Sequence, residues 1–153
     1  MKENKHLEID ETDKKILNVL LEDSRLSYRQ IAKNIGVSVA TVMHRVNNLE
    51  NNKIIRNYTT IVDYEKLGYD IEVIFEIRIS KGKLFEVEEK IATHPNVFAV
   101  YDITGEFDAA ILARFQSRRQ MDAFLKKMQT YPFVERTMTK VILNTIKEKY
   151  VGV

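Results

Sequence analysis

The spacing of apolar residues changes partway along this chain, and the change limits the folds open to it. Up to about residue 52 the apolar side chains recur every three or four positions, the period of an α-helix. After residue 68 they alternate with polar side chains, the period of a β-strand. The 153 residues therefore predict two small domains: residues 1–54, helical, and residues 69–153, mixed, joined by a strand-like connection at 55–68.

The helical part predicts three helices, the last two joined by a tight turn. Asp10 is placed to cap the first helix, and Ser27 with Gln30 three residues later forms a capping box for the second. Gly36 suits the left-handed backbone that ends a helix, and Ser38 is placed to cap the third. Two short helices around a turn with Gly are typical of a helix-turn-helix motif.

The third predicted helix has an apolar and a polar face. The apolar face predicts a buried stripe of Val39, Val42, Val46 and Leu49. The opposite face holds small or hydrogen-bonding side chains, namely Ala40, Thr41, His44, Arg45, Asn47 and Asn48. A recognition helix with such a face lies in the DNA major groove. A merely solvated helix face is the alternative.

Base and phosphate contacts call for different side chains. Arg45 suits a bidentate contact to guanine, Asn48 a contact to adenine, and the Thr41 methyl group a contact to thymine. Ala40 permits close approach, and His44 suits either a base or a phosphate. The predicted phosphate contacts are Ser27, Arg29, Lys33 and the helix N-terminus at Ser38.

The excess of basic residues is confined to one stretch. Residues 24–60 contain six Lys and Arg residues and a single acidic residue, Glu50. Residues 1–23 are acidic, and residues 61–153 carry equal numbers of each sign. The helix-turn-helix stretch is therefore the predicted surface for double-stranded DNA.

The second part predicts the element order βαββαβ. Strands are expected at 71–79, 97–104, 109–115 and 134–146 or beyond, with helical stripes at 84–91 and 121–128. This order is that of a ferredoxin-like domain, an antiparallel sheet with two helices. The chain is therefore predicted to be α+β.

The turn between the second and third predicted strands has chemistry suited to a small ligand. Gly105 lets a ligand approach backbone N–H groups, which bind carboxylates. The carboxyl group of Glu106 or Asp108 suits an α-ammonium group. An ordinary hairpin turn, with Gly and Asp present for geometry, is the alternative.

Several other classes of protein are excluded. Without cysteine there is no thiol nucleophile and no cysteine-based metal site. His6, His44 and His94 lie in different elements without metal-ligand spacing, and no Gly-rich phosphate loop is present. We therefore expect no enzyme, no metal and no cofactor.

The sequence also predicts where the protein resides. The N-terminus lacks the apolar segment of a secretory signal, and no apolar run approaches the roughly 18 residues needed to span a bilayer. We expect a cytoplasmic protein without a membrane partner.

The chain resembles the leucine-responsive regulator/AsnC, or feast/famine, family of transcription regulators over nearly its whole length. The segments that carry the resemblance are 10–17, 23–28, 35–38, 45–46, 49–50, 53–55, 67–69 and 105–108. The family turn more often has Asp and Tyr where this chain has Glu106 and Phe107. Glu106 is one methylene longer, and Phe107 lacks a hydroxyl group.

The resemblance implies a winged helix-turn-helix domain followed by a domain that binds an effector and forms a homodimer, with tetramers or octamers built from dimers. It also implies an amino acid or similar effector bound between dimers near the turn. Candidate effector contacts are Gly105, Glu106, Asp108, Asp122, Thr137 and Thr139. The sequence thus favours a sequence-specific transcription regulator; an architectural DNA-binding protein with little sequence preference and no effector is the alternative.

Overall fold

The structure, a computed structural model, describes residues 8–80 and 82–153. His6 lies outside the described residues. The chain divides into two compact units. The first contains the described residues up to Ile61 together with Lys147–Val153, and the second contains Val62–Ile146.

The first unit is built from three helices, as predicted. They are α1 (Glu11–Glu22), α2 (Tyr28–Ile35) and α3 (Val39–Asn51). Their facing sides bury Ile16, Ile31, Val42, Val46 and Leu49 in one core. Because short helices are marginally stable alone, packing against this shared core contributes more to the stability of each helix than its helix propensity does.

The last seven residues pack with these helices, whereas the sequence analysis placed them with the second domain. The side-chain amide of Asn18 in α1 donates to the carbonyl of Val153 at 2.8 Å and accepts from its N–H at 2.9 Å. The spacing of apolar residues could not predict this contact, because a hydrogen bond between one side-chain amide and a distant backbone produces no periodic pattern in the sequence.

The second unit has the predicted βαββαβ order. Its strands are β1 (Ile71–Ile79), β2 (Val97–Asp102), β3 (Ala109–Phe115) and β4 (Val134–Ile142). Its helices are α4 (Leu84–Ala92) and α5 (Arg118–Gln129), and a short 3-10 helix at Glu65–Leu67 precedes β1. The antiparallel strands lie in the order β2-β3-β1-β4, so β1 and β3 form the centre of the sheet.

Both helices pack on one face of this sheet. Alternate residues of β1, from Val73 to Ile79, are buried there with the inward residues of β3. Phe124 and Met128 of α5 complete the same core. The other face carries half-buried apolar side chains, among them Ile74 and Leu112, which lie opposite each other.

Two strand ends and the connection before β1 differ from the sequence-based expectation. β2 ends at Asp102 instead of Thr104, and β4 ends at Ile142 instead of near Ile146. β4 stops because Ile142 pairs with Glu72, next to the first residue of β1. Residues 56–63 contain no strand in the described structure despite their β-prone composition, since a strand requires a hydrogen-bonded neighbour.

None of the helices among the described residues is both long enough and apolar enough to cross a membrane.

Candidate DNA-binding face and ligand turn

The outer face of α3 differs in one respect from the face predicted. Val42, Val46 and Leu49 are buried as expected, but Val39 is 45% exposed. Met43, one helical turn later, is 48% exposed. The exposed residues of this face are Val39, Ala40, Met43, His44, Asn47 and Asn48. The start of α3 therefore presents apolar as well as polar groups to the solvent.

The turn that sets α2 against α3 is fixed by local hydrogen bonds. The Ser27 hydroxyl accepts from the Gln30 backbone N–H, and the Gln30 side chain accepts from the Ser27 N–H at 2.9 Å. Gly36 ends α2 with a left-handed φ of 76°. The Ser38 hydroxyl accepts from the Thr41 N–H at 3.0 Å. These contacts make Ser27 and Ser38 helix caps, the role predicted for them alongside phosphate binding.

Arg45 is held inside the first unit by two carboxylates of α1. Its Nη1 atom lies 2.7 Å from Asp10 Oδ2 and 3.3 Å from Asp13 Oδ2. Asp13 is only 4% exposed, so Arg45 neutralises a buried charge. Both carboxylates bind the same atom, Nη1, and the guanidinium has further N–H donors, so the guanine contact of Arg45 stays a prediction.

The Asp10 carboxyl group makes three contacts where α1 meets α3. It accepts from the backbone N–H groups of Thr12 and Asp13, each at 2.9 Å, and it also binds Arg45. The hydrogen bond from Asp13, with the positive charge of Arg45, holds the pKa of Asp10 below its usual value. The carboxylate form of Asp10 therefore both caps α1 and ties it to α3.

The basic side chains around α3 are exposed. Arg29 and Lys33 lie on α2, Arg25 precedes that helix, and Lys53 and Arg56 follow α3. All five have exposed side chains in the first unit. They give this unit a positive surface for phosphate groups.

The turn between β2 and β3 is joined to the start of β4 by an ion pair. Arg136 Nη1 lies 2.5 Å from Glu106 Oε1. The Arg136 guanidinium also lies 5.6 Å from the ring centre of Phe107, which is buried. Gly105 has a φ of 125°, a value that side-chain-bearing residues rarely adopt. An exposed opposite-charge pair thus stands beside a backbone bend that requires glycine.

Asp108 is occupied within the fold. Its carboxylate accepts from the Ile79 N–H at 2.7 Å, and its own N–H donates to the Ile77 carbonyl at 2.9 Å. Both contacts fasten the turn to the end of β1. Of the two predicted ammonium partners, Asp108 therefore fixes the turn, whereas Glu106 is the exposed one.

Thr137 lies close to the turn in the strand register, and the other predicted effector contacts lie farther away. Thr137 pairs with Ile77, the residue that accepts from Asp108, and its hydroxyl accepts from the Gln129 amide at 2.9 Å. Thr139 pairs with Phe75, two residues farther along β1. Asp122 lies on α5, where it pairs with Lys126 at 2.7 Å.

Two family models match this chain. A winged helix-turn-helix DNA-binding model matches residues 9–56, and the Lrp/AsnC ligand binding domain matches residues 72–151. The chain belongs to the Lrp/AsnC family of transcriptional regulators. Its first unit includes the DNA-binding helix-turn-helix match, and its second contains residues 72–146 of the family's ligand-binding domain.

Individual Lrp/AsnC proteins and related regulators agree with this assignment. An uncharacterized HTH-type transcriptional regulator of Pyrococcus furiosus is 44% identical over 94% of this chain and 97% of its own length. The structure of E. coli AsnC matches with a TM-score of 0.88 and 26% identity over 96% of this chain and 100% of that one. Both the family resemblance and the predicted α+β fold are confirmed.

A third comparison concerns a liganded structure. The transcriptional regulator NMB0573 of Neisseria meningitidis, in complex with L-Met, matches with a TM-score of 0.86 over 93% of this chain and 94% of that one. At 24% identity this likeness shows the fold alone.

Sequence reasoning missed three features of this Lrp/AsnC chain. They are the exposure of Val39 and Met43, the pairing of Arg136 with Glu106, and the raised pKa of Glu88. Glu88 in α4 lies beside Asp102 of β2, and its Oε1 atom is buried without a hydrogen-bond partner. Burial, reinforced by Asp102, raises the pKa of Glu88 to about 7. Of the three, only the Arg136–Glu106 pair lies at a site that the sequence had indicated, the turn between β2 and β3.

Proposed function

We propose that this protein is a sequence-specific transcription regulator whose DNA binding responds to an amino acid or a related small metabolite. The observation that carries the DNA-reading half is the outer face of α3, which is exposed, free of acidic groups up to Glu50 and bordered by exposed basic side chains. Such a face fits the major groove, where base edges are read by a helix.

Each DNA contact has a proposed role. Ala40, Thr41, His44 and Asn48 face base edges, whereas Arg29, Lys33 and the capped helix starts at Ser27 and Ser38 face phosphates. Arg45 positions α3 through the contacts of Nη1 with the carboxylates of α1, and its remaining N–H donors keep the proposed contact to guanine. The proposed partner is double-stranded DNA, and the proposed location is the cytoplasm.

In vitro selection on random duplex DNA tests sequence specificity. We expect enrichment of a rough palindrome whose half-sites lie about 34 Å apart, because a symmetric dimer places its two α3 helices in successive major grooves. Binding without any enriched sequence, at the same affinity for all duplexes, would instead support an architectural DNA-binding protein.

The ligand-binding half of the proposal rests on the Glu106–Arg136 pair. A zwitterionic amino acid offers both a carboxylate for Arg136 and an ammonium group for Glu106, so it can replace the exposed pair without leaving either charge unmatched. The bend at Gly105 precedes Glu106, Asp108 fixes the turn, and Thr137 follows Arg136 along β4. Asp122 and Thr139 complete the proposed contacts. The L-Met complex of the fold neighbour supports an amino-acid ligand.

Calorimetric titration with each of the twenty L-amino acids tests this half. We expect at least one to bind, and Arg136→Ala to weaken that binding at least tenfold by removing a charge-assisted contact. Lys66→Ala is the control, because it removes another exposed ion-paired cation of the same unit. If no amino acid binds the wild-type protein, the ligand proposal fails while the DNA proposal stands.

The proposed assembly is a homodimer, with tetramers or octamers formed from dimers and the ligand held between dimers. The sheet face opposite α4 and α5 supports the dimer, because it presents half-buried apolar side chains such as Ile74, Leu112 and Met138. Light scattering with and without ligand tests this arrangement. If the ligand changes the affinity for DNA by some factor, linkage requires that DNA change the affinity for the ligand by the same factor.

A further inference from the structure

The exposed apolar start of α3, formed by Val39, Ala40 and Met43, has no partner in the core of the first unit. Val39 and Met43 lie one turn apart and are each about half exposed, while the buried stripe of α3 lies on the other side of the helix. In a helix-turn-helix motif the first turns of the second helix are the part that contacts base edges. These side chains therefore occupy the positions from which bases are read.

The same helix carries a single cation that could contact guanine, and the Nη1 atom of that cation is already bound to α1. Arg45 is the only Lys or Arg in α3, and it is bound to Asp10 and Asp13 of α1. The remaining polar side chains of the outer face are uncharged Thr41, Asn47 and Asn48, together with His44. Because Arg and Lys are the side chains that most often read guanine, α3 is poorly suited to guanine at the centre of its contact.

Apolar side chains have one match on the base edges of the major groove, the C5 methyl group of thymine. DNA is favoured over a protein partner as the occupant because exposed basic side chains, Arg29 and Lys33 among them, lie on the preceding helix.

We infer that Val39 and Met43 read thymine methyl groups, so that the half-site is composed of A·T pairs where the start of α3 enters the groove. This inference rests on the proposed sequence-specific recognition and adds the class of base that is recognised. Ala40 permits the close approach, and the two larger side chains cover the methyl groups.

Uracil substitution isolates the methyl group. After the preferred duplex has been selected, each thymine of a half-site is replaced in turn by deoxyuridine, which lacks only the C5 methyl group, and the Kd is measured. We expect two or more positions at which the Kd rises about three- to fivefold, the effect of one lost buried methyl group.

Variants then assign each methyl group to its side chain. Met43→Ala should abolish the uracil penalty at one position, and Val39→Ala the penalty at another, while penalties elsewhere persist. Phe85→Ala, which removes an exposed apolar side chain of α4 in the other unit, is the matched control and should leave every penalty unchanged. Circular dichroism verifies that each variant is folded.

The outcomes separate this inference from the proposal on which it rests. An enriched operator that tolerates uracil at every position, or uracil penalties that survive in both Met43→Ala and Val39→Ala, overturns the methyl-reading inference alone. Selection that enriches no sequence overturns sequence-specific recognition, and this inference with it.

Discussion

Arg45 and Asp13 illustrate what a single residue contributes here. Asp13 caps α1 and is buried, so its charge requires a partner, and Arg45 supplies one from a position 32 residues later in the chain. Asp10, Ser27 and Ser38 could be predicted as caps because a cap involves only residues three positions apart. The Arg45 contact could not, since a helical wheel shows that Arg45 lies outside the core but not which helix lies beside it.

The Arg45–Asp13 contact makes Arg45→Ala a stability variant. We expect the substitution to lower the free energy of unfolding by about 1–3 kcal/mol, because it leaves the buried carboxylate of Asp13 without its cation. Urea denaturation followed by circular dichroism measures the loss. Arg56→Ala, which removes an exposed cation of the same unit, should change stability by less than about 0.5 kcal/mol.

A DNA-binding measurement on Arg45→Ala must be compared with this stability loss. A variant that is as stable as the wild-type protein but has lost preference for a guanine in the selected site would show that Arg45 reads guanine and does not position α3.

At the scale of elements, the sequence was most informative where a segment of regular apolar spacing was long, and least informative at the ends of the helices and strands. The order of the four strands and five helices followed from the apolar spacing, and the left-handed backbone at Gly36 followed from a glycine at the end of a helix. The end of β4 is instead set by where β1 begins, and the connection at 56–63 lacks a strand partner in the described chain. Both depend on a neighbour that local sequence does not contain.

The packing of α4 beside β2 predicts a pH-dependent contribution to stability. The folded-state pKa of Glu88 is raised to about 7 from an ordinary value of 4.5. The folded state therefore binds more protons than the unfolded state between these values, and stability contributed by protonated Glu88 is lost as the pH rises from about 4.5 through 7.

Glu88→Gln tests this dependence, because glutamine resembles the protonated acid at every pH. We expect Glu88→Gln to be more stable than the wild-type protein at pH 8 by about 1–3 kcal/mol, the cost of a partly buried carboxylate that lies beside Asp102 and whose Oε1 atom has no hydrogen-bond partner. The difference should disappear at pH 4. The neighbouring Glu89→Gln, at an exposed position of the same helix, serves as the control. A stability difference that does not change with pH would contradict the assignment.

At the scale of the molecule, the chain leaves the first unit after Ile61 and returns to it at Lys147. The returning segment is held by the two hydrogen bonds of Asn18 and by close packing, since a Cβ at Gly152 would lie 2.9 Å from Asn18 Oδ1. Tyr150, Val151 and Val153 line a cleft of about 770 Å³ together with α1 and the residues that follow α3.

Removal of the docking amide should loosen this segment. We expect Asn18→Ala to cost about 1–2 kcal/mol, because two backbone groups lose their partners, and to speed hydrogen exchange in the second half of α1. Asn34→Ala, an exposed amide on α2, is the matched control. Unchanged exchange in Asn18→Ala would show that the segment does not hold α1.

The return of the chain has a consequence for how the protein can be divided. The DNA-binding unit is discontinuous in sequence, and the ligand-binding unit is inserted into it between Ile61 and Lys147. A gene fragment that ends at residue 61 therefore encodes three helices without residues 147–153, the segment that packs against the first of them. Adding a peptide of residues 147–153 should stabilise that fragment. A single chain in which a short linker joins Ile61 to Lys147 should fold on its own as the DNA-binding unit.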